Sequence, residues 1–85
     1  MNWQVYVLRC ADDSLYTGIA KDVKRRLQEH NQGFPAGARY THVRRPVSLV
    51  YVESVASRAE AAKRELEIKA LTRKQKLLLI SHYKN

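Results

Sequence analysis

The sequence predicts a small α/β domain of the α+β type: a three-stranded antiparallel sheet flanked by three helices, in the order β-β-α-β-α-α. Three observations carry that expectation. Runs rich in β-branched and aromatic residues recur at Trp3–Arg9, Leu15–Ile19 and Val47–Glu53. Helix-capping residues stand at Asp22, Ser57 and Thr72. The first two apolar runs are separated by a short stretch of turn chemistry, which makes them a hairpin. With 85 residues, 45% of them hydrophobic, residues 1–85 fit one domain, which buries only about 60% of the surface its unfolded chain exposes.

The elements follow in order. Trp3–Arg9 (WQVYVLR) is the first strand, and Ala11-Asp12-Asp13-Ser14 turns the chain because short polar side chains satisfy local backbone groups. Leu15–Ile19 returns. Asp22 caps a helix running to about Asn31, with Val23 and Leu27 one turn apart on its buried side. Gly33, Pro35 and Gly37 end that helix and open a loop through Pro46. Val47–Glu53 is apolar on both alternating faces, so both sides of that strand are expected to be covered. Ser57-Arg58-Ala59-Glu60 is a capping box for a helix to about Leu71, and Thr72-Arg73-Lys74-Gln75 is a second one, for a helix to about Tyr83.

Composition then narrows the function. Sixteen Lys and Arg against eight Asp and Glu give a net charge of +8. The excess gathers in residues 20–46, through Lys21, Lys24, Arg25, Arg26, Arg39, Arg44 and Arg45, and in residues 73–85, which hold no acid. A polyanion, above all nucleic acid, is the partner such a chain suits, although basicity also serves solubility. The longest apolar run, Leu77-Leu78-Leu79-Ile80, is far short of the ~20 residues of a membrane span. No charged-then-apolar leader opens the chain, and a single cysteine excludes an internal disulfide, so a reducing cytoplasm is the expected compartment. One cysteine and three scattered histidines do not make a structural zinc site. Phosphate-cradling glycine loops and serine nucleophile elbows are missing from the sequence, and Cys10 reads as structural. His42 and His82 carry no separable signal.

What remains is a spacing. Tyr6 lies in the first strand and Tyr16 in the second, with Gly18 two residues on; Arg26 and His30 project from one face of the first helix. Val5-Tyr6-Val7, then Tyr16-Thr17-Gly18, then Lys21, Arg26 and His30 resemble the motifs of the GIY-YIG nuclease family. Arg58-Ala59-Glu60-Ala61-Ala62-Lys63-Arg64-Glu65 is similar to its acidic helix, and Gly37-Ala38-Arg39-Tyr40-Thr41 fits its small stand-alone bacterial members of the YhbQ (UPF0213) type. Both motif tyrosines and the glycine are kept where the name-giving triplets differ.

The resemblance implies a metal-dependent endonuclease that hydrolyses DNA, in repair or recombination. It implies that Glu65 holds Mg²⁺ or Mn²⁺, and that Arg26 clamps phosphate oxygens. Tyr6 or Tyr16 would take the proton of the attacking water, with His30 tuning a tyrosine or assisting the transfer. Lys21, Arg39, Arg44 and Arg45 would contact nucleic-acid phosphates. A partner protein could supply specificity to so small a module. On pattern alone the tyrosines also fit core packing, Arg26 and His30 a solvated helix face, and Lys21 and the loop arginines an exposed surface. Two rival functions stay open: a non-catalytic basic nucleic-acid-binding module, and an adaptor that docks a partner protein through the last helix.

One site residue has support from periodicity. With Ala61 set at 0° on its helix, Ile68 falls near −20°, Glu65 near 40°, Ala62 near 100° and Leu66 near 140°, whereas Glu60, Lys63, Arg64 and Glu67 lie at about 200–300°. Glu65 is thus inside the apolar arc, where a carboxylate requires a cation or a donor. Lys69, four residues on in the same arc, is the competing partner to a metal.

Overall fold

A computed structural model describes residues 2–83; Lys84, counted above in the C-terminal basic run, lies outside them. Strand β1 (Trp3–Arg9) and strand β2 (Leu15–Ala20) form the expected hairpin, followed by helix α1 (Val23–Gln32), a one-turn helix α2 (Arg39–His42), strand β3 (Ser48–Val55), helix α3 (Arg58–Lys69) and helix α4 (Arg73–Ser81). The sheet order is β2-β1-β3, antiparallel throughout. The central strand is therefore the first one in sequence.

One element departs from the expectation of three helices. The loop after Gly33 contains α2, making four. Its sequence has no capping side chain and too few residues to show a helical period. Tertiary contacts, described below, hold it.

The caps of α1 and α4 behave as read. The Asp22 side chain accepts from Arg25 N–H, and Gln4 Oε1, reaching over from β1, accepts from Val23 N–H at 3.2 Å. Thr72 and Gln75 form a complete reciprocal box. At α3 the box is displaced: Ser57 Oγ accepts from Glu60 N–H, but Glu60 Oε2 takes the N–H of Ala56, one residue outside the cap.

The sheet is covered on both sides, as the two-faced β3 pattern requires. Val5 and Val7 pack with Tyr51 against Ala61 and Ile68 of α3, with Leu79 and Ile80 of α4 alongside. Tyr6, Leu8 and Cys10 face the other way and pack with Val23, Val47 and Leu27. A register shift helps β3 serve both layers. Val7 pairs with Tyr51 but Leu8 with Leu49, so Val50 is the extra residue of a bulge. Leu66, assigned to the apolar arc of α3, is instead 68% exposed, because the arc that meets the sheet spans only Ala61 and Ile68.

Register also sets the glycine of the second motif. Tyr6 pairs with Gly18 across the hairpin, and the buried phenol lies where a side chain at position 18 would go. An added Cβ would fall 2.5 Å from Tyr6 Oη and 2.6 Å from Cζ. Gly18→Ala is therefore expected to destabilise the domain by roughly 1–3 kcal/mol in urea titration. The cost should shrink in a Tyr6→Leu background, where the overlap is gone. An unchanged cost in that background would assign the effect to the strand backbone instead.

Candidate active site

The phenol of Tyr6 is the residue to build from, because β1 carries it into the layer under α1. Tyr6 is 1% exposed and His30, two turns along α1, is fully buried. Their side chains meet, with Tyr6 Oη 2.9 Å from His30 Nε2. The second imidazole nitrogen, Nδ1, lies 2.8 Å from Thr41 Oγ1. Tyr16, two residues from Gly18 on the same face of the hairpin, sets its ring edge-on to His30 at 5.2 Å and stacks on Tyr40 at 5.6 Å. The fold therefore brings Tyr6, Tyr16 and His30 into one cluster.

Arg26 joins them from the preceding turn of α1. Its Nη1 donates to Glu29 Oε1 at 2.9 Å and to the Ala36 carbonyl at 2.8 Å. Both bonds run through Nη1, and the guanidinium also lies within bonding reach of the Tyr6 hydroxyl. The Ala36 contact depends on Gly37, where a Cβ would sit 2.6 Å from the backbone of His30. Only a glycine lets that loop lie directly on the helix.

The electrostatics are mutual. Burial, then the neighbouring Tyr16, pushes the Tyr6 phenol up to about 12, while the Arg26 guanidinium pulls it down and the Glu65 carboxylate adds a smaller upward push. Burial, then the charge of Arg26, lowers His30 to about 4. At neutral pH the pair is a protonated phenol against a neutral imidazole, so one imidazole nitrogen holds a free lone pair.

Glu65 approaches from α3. Its side chain is 21% exposed and its carboxylate pairs with Lys69 Nζ at 3.2 Å, which is the competing partner that periodicity offered. Among the described residues no group of three or more His, Cys, Asp or Glu side chains is arranged to hold a metal.

The four basic residues assigned to phosphate contact divide in two. Lys21 lies 5.5 Å over the Trp3 ring and Arg39 4.4 Å over Phe34, and neither is in an ion pair among the described residues. Arg44 is engaged: Nε donates to Asp12 at 3.1 Å, Nη1 to the Tyr40 carbonyl at 2.8 Å, and the guanidinium covers the Tyr40 ring. Arg45 donates to the carbonyls of His42, Gln32 and Asn31. Arg45 thereby ties α2 to the open end of α1, where orphan carbonyls and the helix dipole favour a cation.

Several site residues escaped the sequence reading. Thr41, Tyr40 and the Ala36 carbonyl have no periodicity to flag them. For Glu29 the three-residue spacing from Arg26 was the available signal.

These features can be set beside known proteins. A model of the GIY-YIG catalytic domain matches residues 2–78. The chain belongs to the GIY-YIG family. A UPF0213 protein of Staphylococcus aureus is 58% identical over 76 residues, covering 89% of this chain and 90% of its own length. The solution NMR structure of a UPF0213 protein from Bacillus halodurans is 43% identical, with a TM-score of 0.60 over 95% of this chain and 84% of that one. That of a protein from E. faecalis is 37% identical, with a TM-score of 0.62 over 100% of this chain and 94% of its own. GIY-YIG domains act on nucleic acid, are generally nucleases, and generally use divalent metals. No helix of the described GIY-YIG domain is long and apolar enough to cross a membrane.

The donor set suits a Mg²⁺-like ion that would need few protein ligands. Such an ion takes one or two protein carboxylates and fills its remaining positions with water and phosphate. Glu65 would offer one carboxylate, and its half-exposed Lys69 partner would be a weak competitor for a divalent ion.

Burial of neutral His30 has a consequence for the whole GIY-YIG domain. The unfolded chain protonates this residue near pH 6.5, the folded one only near 4. Between these values the unfolded state binds more protons, so stability is lost as pH falls through that window. The expected contribution is of order 3 kcal/mol by pH 4, measured by denaturant unfolding from pH 7 downward. His30→Asn should flatten this part of the profile; an equally steep fall in the variant would locate the acid sensitivity elsewhere.

Proposed function

We propose that residues 1–85 form a single GIY-YIG domain that works as a metal-dependent endonuclease, hydrolysing phosphodiester bonds of DNA, the kind of step that repair and recombination use. The observation that carries this reading is the buried Tyr6–His30 hydrogen bond, 2.9 Å long, with the Arg26 fork beside it. A phenol held near 12 cannot serve as a base by itself at neutral pH. It can do so when it passes its own proton on as it accepts another, and His30 Nε2 is placed to receive it.

The chain's residues then have distinct roles. Arg26 binds the scissile phosphate through its guanidinium and stabilises the charge that develops on its oxygens. Tyr6 Oη takes a proton from the attacking water while its own proton moves to His30 Nε2. The water oxygen forms a bond to phosphorus as the bond to the leaving oxygen breaks. The leaving oxygen is protonated from solvent, and His30 returns its proton to solvent through Tyr6. Tyr16 packs against the imidazole and, stacked on Tyr40, closes the cluster toward α2. Glu65 would hold Mg²⁺ or Mn²⁺, which would supply positive charge to stabilise the phosphate as it reacts. Lys21 and Arg39 contact flanking phosphates, and Arg44 and Arg45 shape the loop that presents Arg39. The buried free thiol of Cys10 suits a cytoplasmic setting.

The test is a cleavage assay on duplex, single-stranded, flapped and branched DNA and on RNA, with Mg²⁺, Mn²⁺ or chelator. Cutting is expected to need the metal ion and to fall by about 100-fold or more in Tyr6→Phe, in line with the usual contribution of general acid–base groups. Glu65→Ala should remove turnover while nucleic-acid binding persists. Cutting that survives both substitutions would show a contaminating enzyme. Tight, salt-sensitive binding without any cutting would make the domain a binding module.

A further inference from the structure

Thr41 is the fully buried residue of the one-turn helix α2, and its hydroxyl reaches the imidazole of α1. Its Oγ1 lies 2.8 Å from His30 Nδ1 and donates to the Ala38 carbonyl at 3.0 Å. The imidazole therefore sits in a row of three hydrogen-bonding side chains, Tyr6, His30 and Thr41, ending on a backbone acceptor.

Each hydroxyl in that row has one proton to place, and the neutral imidazole has one. Only one direction uses all three. Tyr6 O–H donates to His30 Nε2, His30 Nδ1–H donates to Thr41 Oγ1, and Thr41 O–H donates to the Ala38 carbonyl. In the reverse direction Thr41 would donate to Nδ1 and Nε2–H to the phenol oxygen. The Tyr6 proton would then have no acceptor among the described side chains, because Nε2 is the hydrogen-bond partner of its hydroxyl and the adjacent Arg26 can only donate, whereas the first direction gives that proton an acceptor within the protein. An unsatisfied buried hydroxyl is strongly disfavoured. A backbone N–H from Ala38 also points at Nδ1, but at 3.5 Å it is at the limit of a hydrogen bond and competes poorly with a contact of 2.8 Å.

We infer that Thr41 is a positioning residue that fixes His30 in the Nδ1–H tautomer, so that Nε2 is free to accept the Tyr6 proton. This deepens the nuclease reading above and rests on it for the effect on turnover; the tautomer itself does not depend on it. Replacing the hydroxyl by a methyl group leaves Nδ1–H without an acceptor. The imidazole then shifts its proton to Nε2, Nδ1 accepts the Ala38 N–H, and the phenol loses the lone pair it donates to.

The experiment uses the full chain in three forms: wild type, Thr41→Val, which keeps the shape, and Thr41→Ser, which keeps the hydroxyl. Nitrogen-15 NMR of the His30 ring at neutral pH distinguishes a protonated from an unprotonated nitrogen at each position. Wild type and Thr41→Ser should show a protonated Nδ1 and a bare Nε2, and Thr41→Val the opposite. In the cleavage assay Thr41→Val should lose roughly 10- to 100-fold in turnover, the usual scale for an outer partner of a functional imidazole, with DNA affinity retained and Thr41→Ser close to wild type. A wild-type ring protonated on Nε2, or a Thr41→Val ring that keeps Nδ1–H, overturns the assignment. Full turnover in Thr41→Val despite a switched tautomer overturns its catalytic part. A wild type that binds but never cuts defeats the nuclease reading alone, and the NMR result still decides the tautomer. If Thr41→Val does not fold, Thr41→Ala, with less bulk, serves in the same two measurements.

Discussion

Burying an imidazole obliges the fold to supply a partner for each of its two nitrogens, and the region around the site is organised by meeting that obligation for His30. Tyr6 must come from the central strand, so β1 has to lie directly under α1. Thr41 must come from the far end of the loop, so residues 33–41 have to fold back onto the helix they have just left. Both moves create close approaches that only glycine tolerates. Gly18 makes room for the Tyr6 ring on β2, and Gly37 lets the loop backbone touch His30. The glycine of the second motif is thus a consequence of the tyrosine of the first.

The same closure decides how the positive charge is used. A run of basic residues in a Gly/Pro loop reads as a mobile clamp, yet two of its three arginines are occupied. Arg45 holds the carbonyls at the end of α1, and Arg44 bridges to Asp12 and covers Tyr40. They hold α2 in place, and α2 brings Thr41 to the imidazole. Arg26 is also tethered, by Glu29 and by Ala36, through one nitrogen of its fork. A guanidinium held this way needs little ordering on binding, which is where affinity for a phosphate is otherwise lost.

Glu65 shows how a local pattern can be right and still leave the chemistry open. Periodicity put it on the buried arc, and its side chain is 21% exposed. Periodicity also offered Lys69, and the two are paired. An ion pair with a half-exposed lysine is weak, so the pairing does not exclude a stronger cation at this carboxylate.

The sequence by itself determined the order of the long elements, the hairpin, the capped helix starts, the two-sided burial of β3 and the inward face of α3. These are written in windows of a few residues, as alternation along a strand, as three- and four-residue spacing on a helix, or as a cap and its partner. Family motifs added Tyr6, Tyr16, Arg26, His30 and Glu65 as a set. Tertiary structure decided the rest: β1 at the centre of the sheet, the bulge at Val50, the short helix α2, the structural duty of Arg44 and Arg45, and the place of Thr41. His30 is 24 positions from Tyr6 and 11 from Thr41, and no local period links residues at such separations. Their meeting depends on how a loop closes on a helix, which is settled only when backbone clearance and the pairing of buried polar groups are satisfied together.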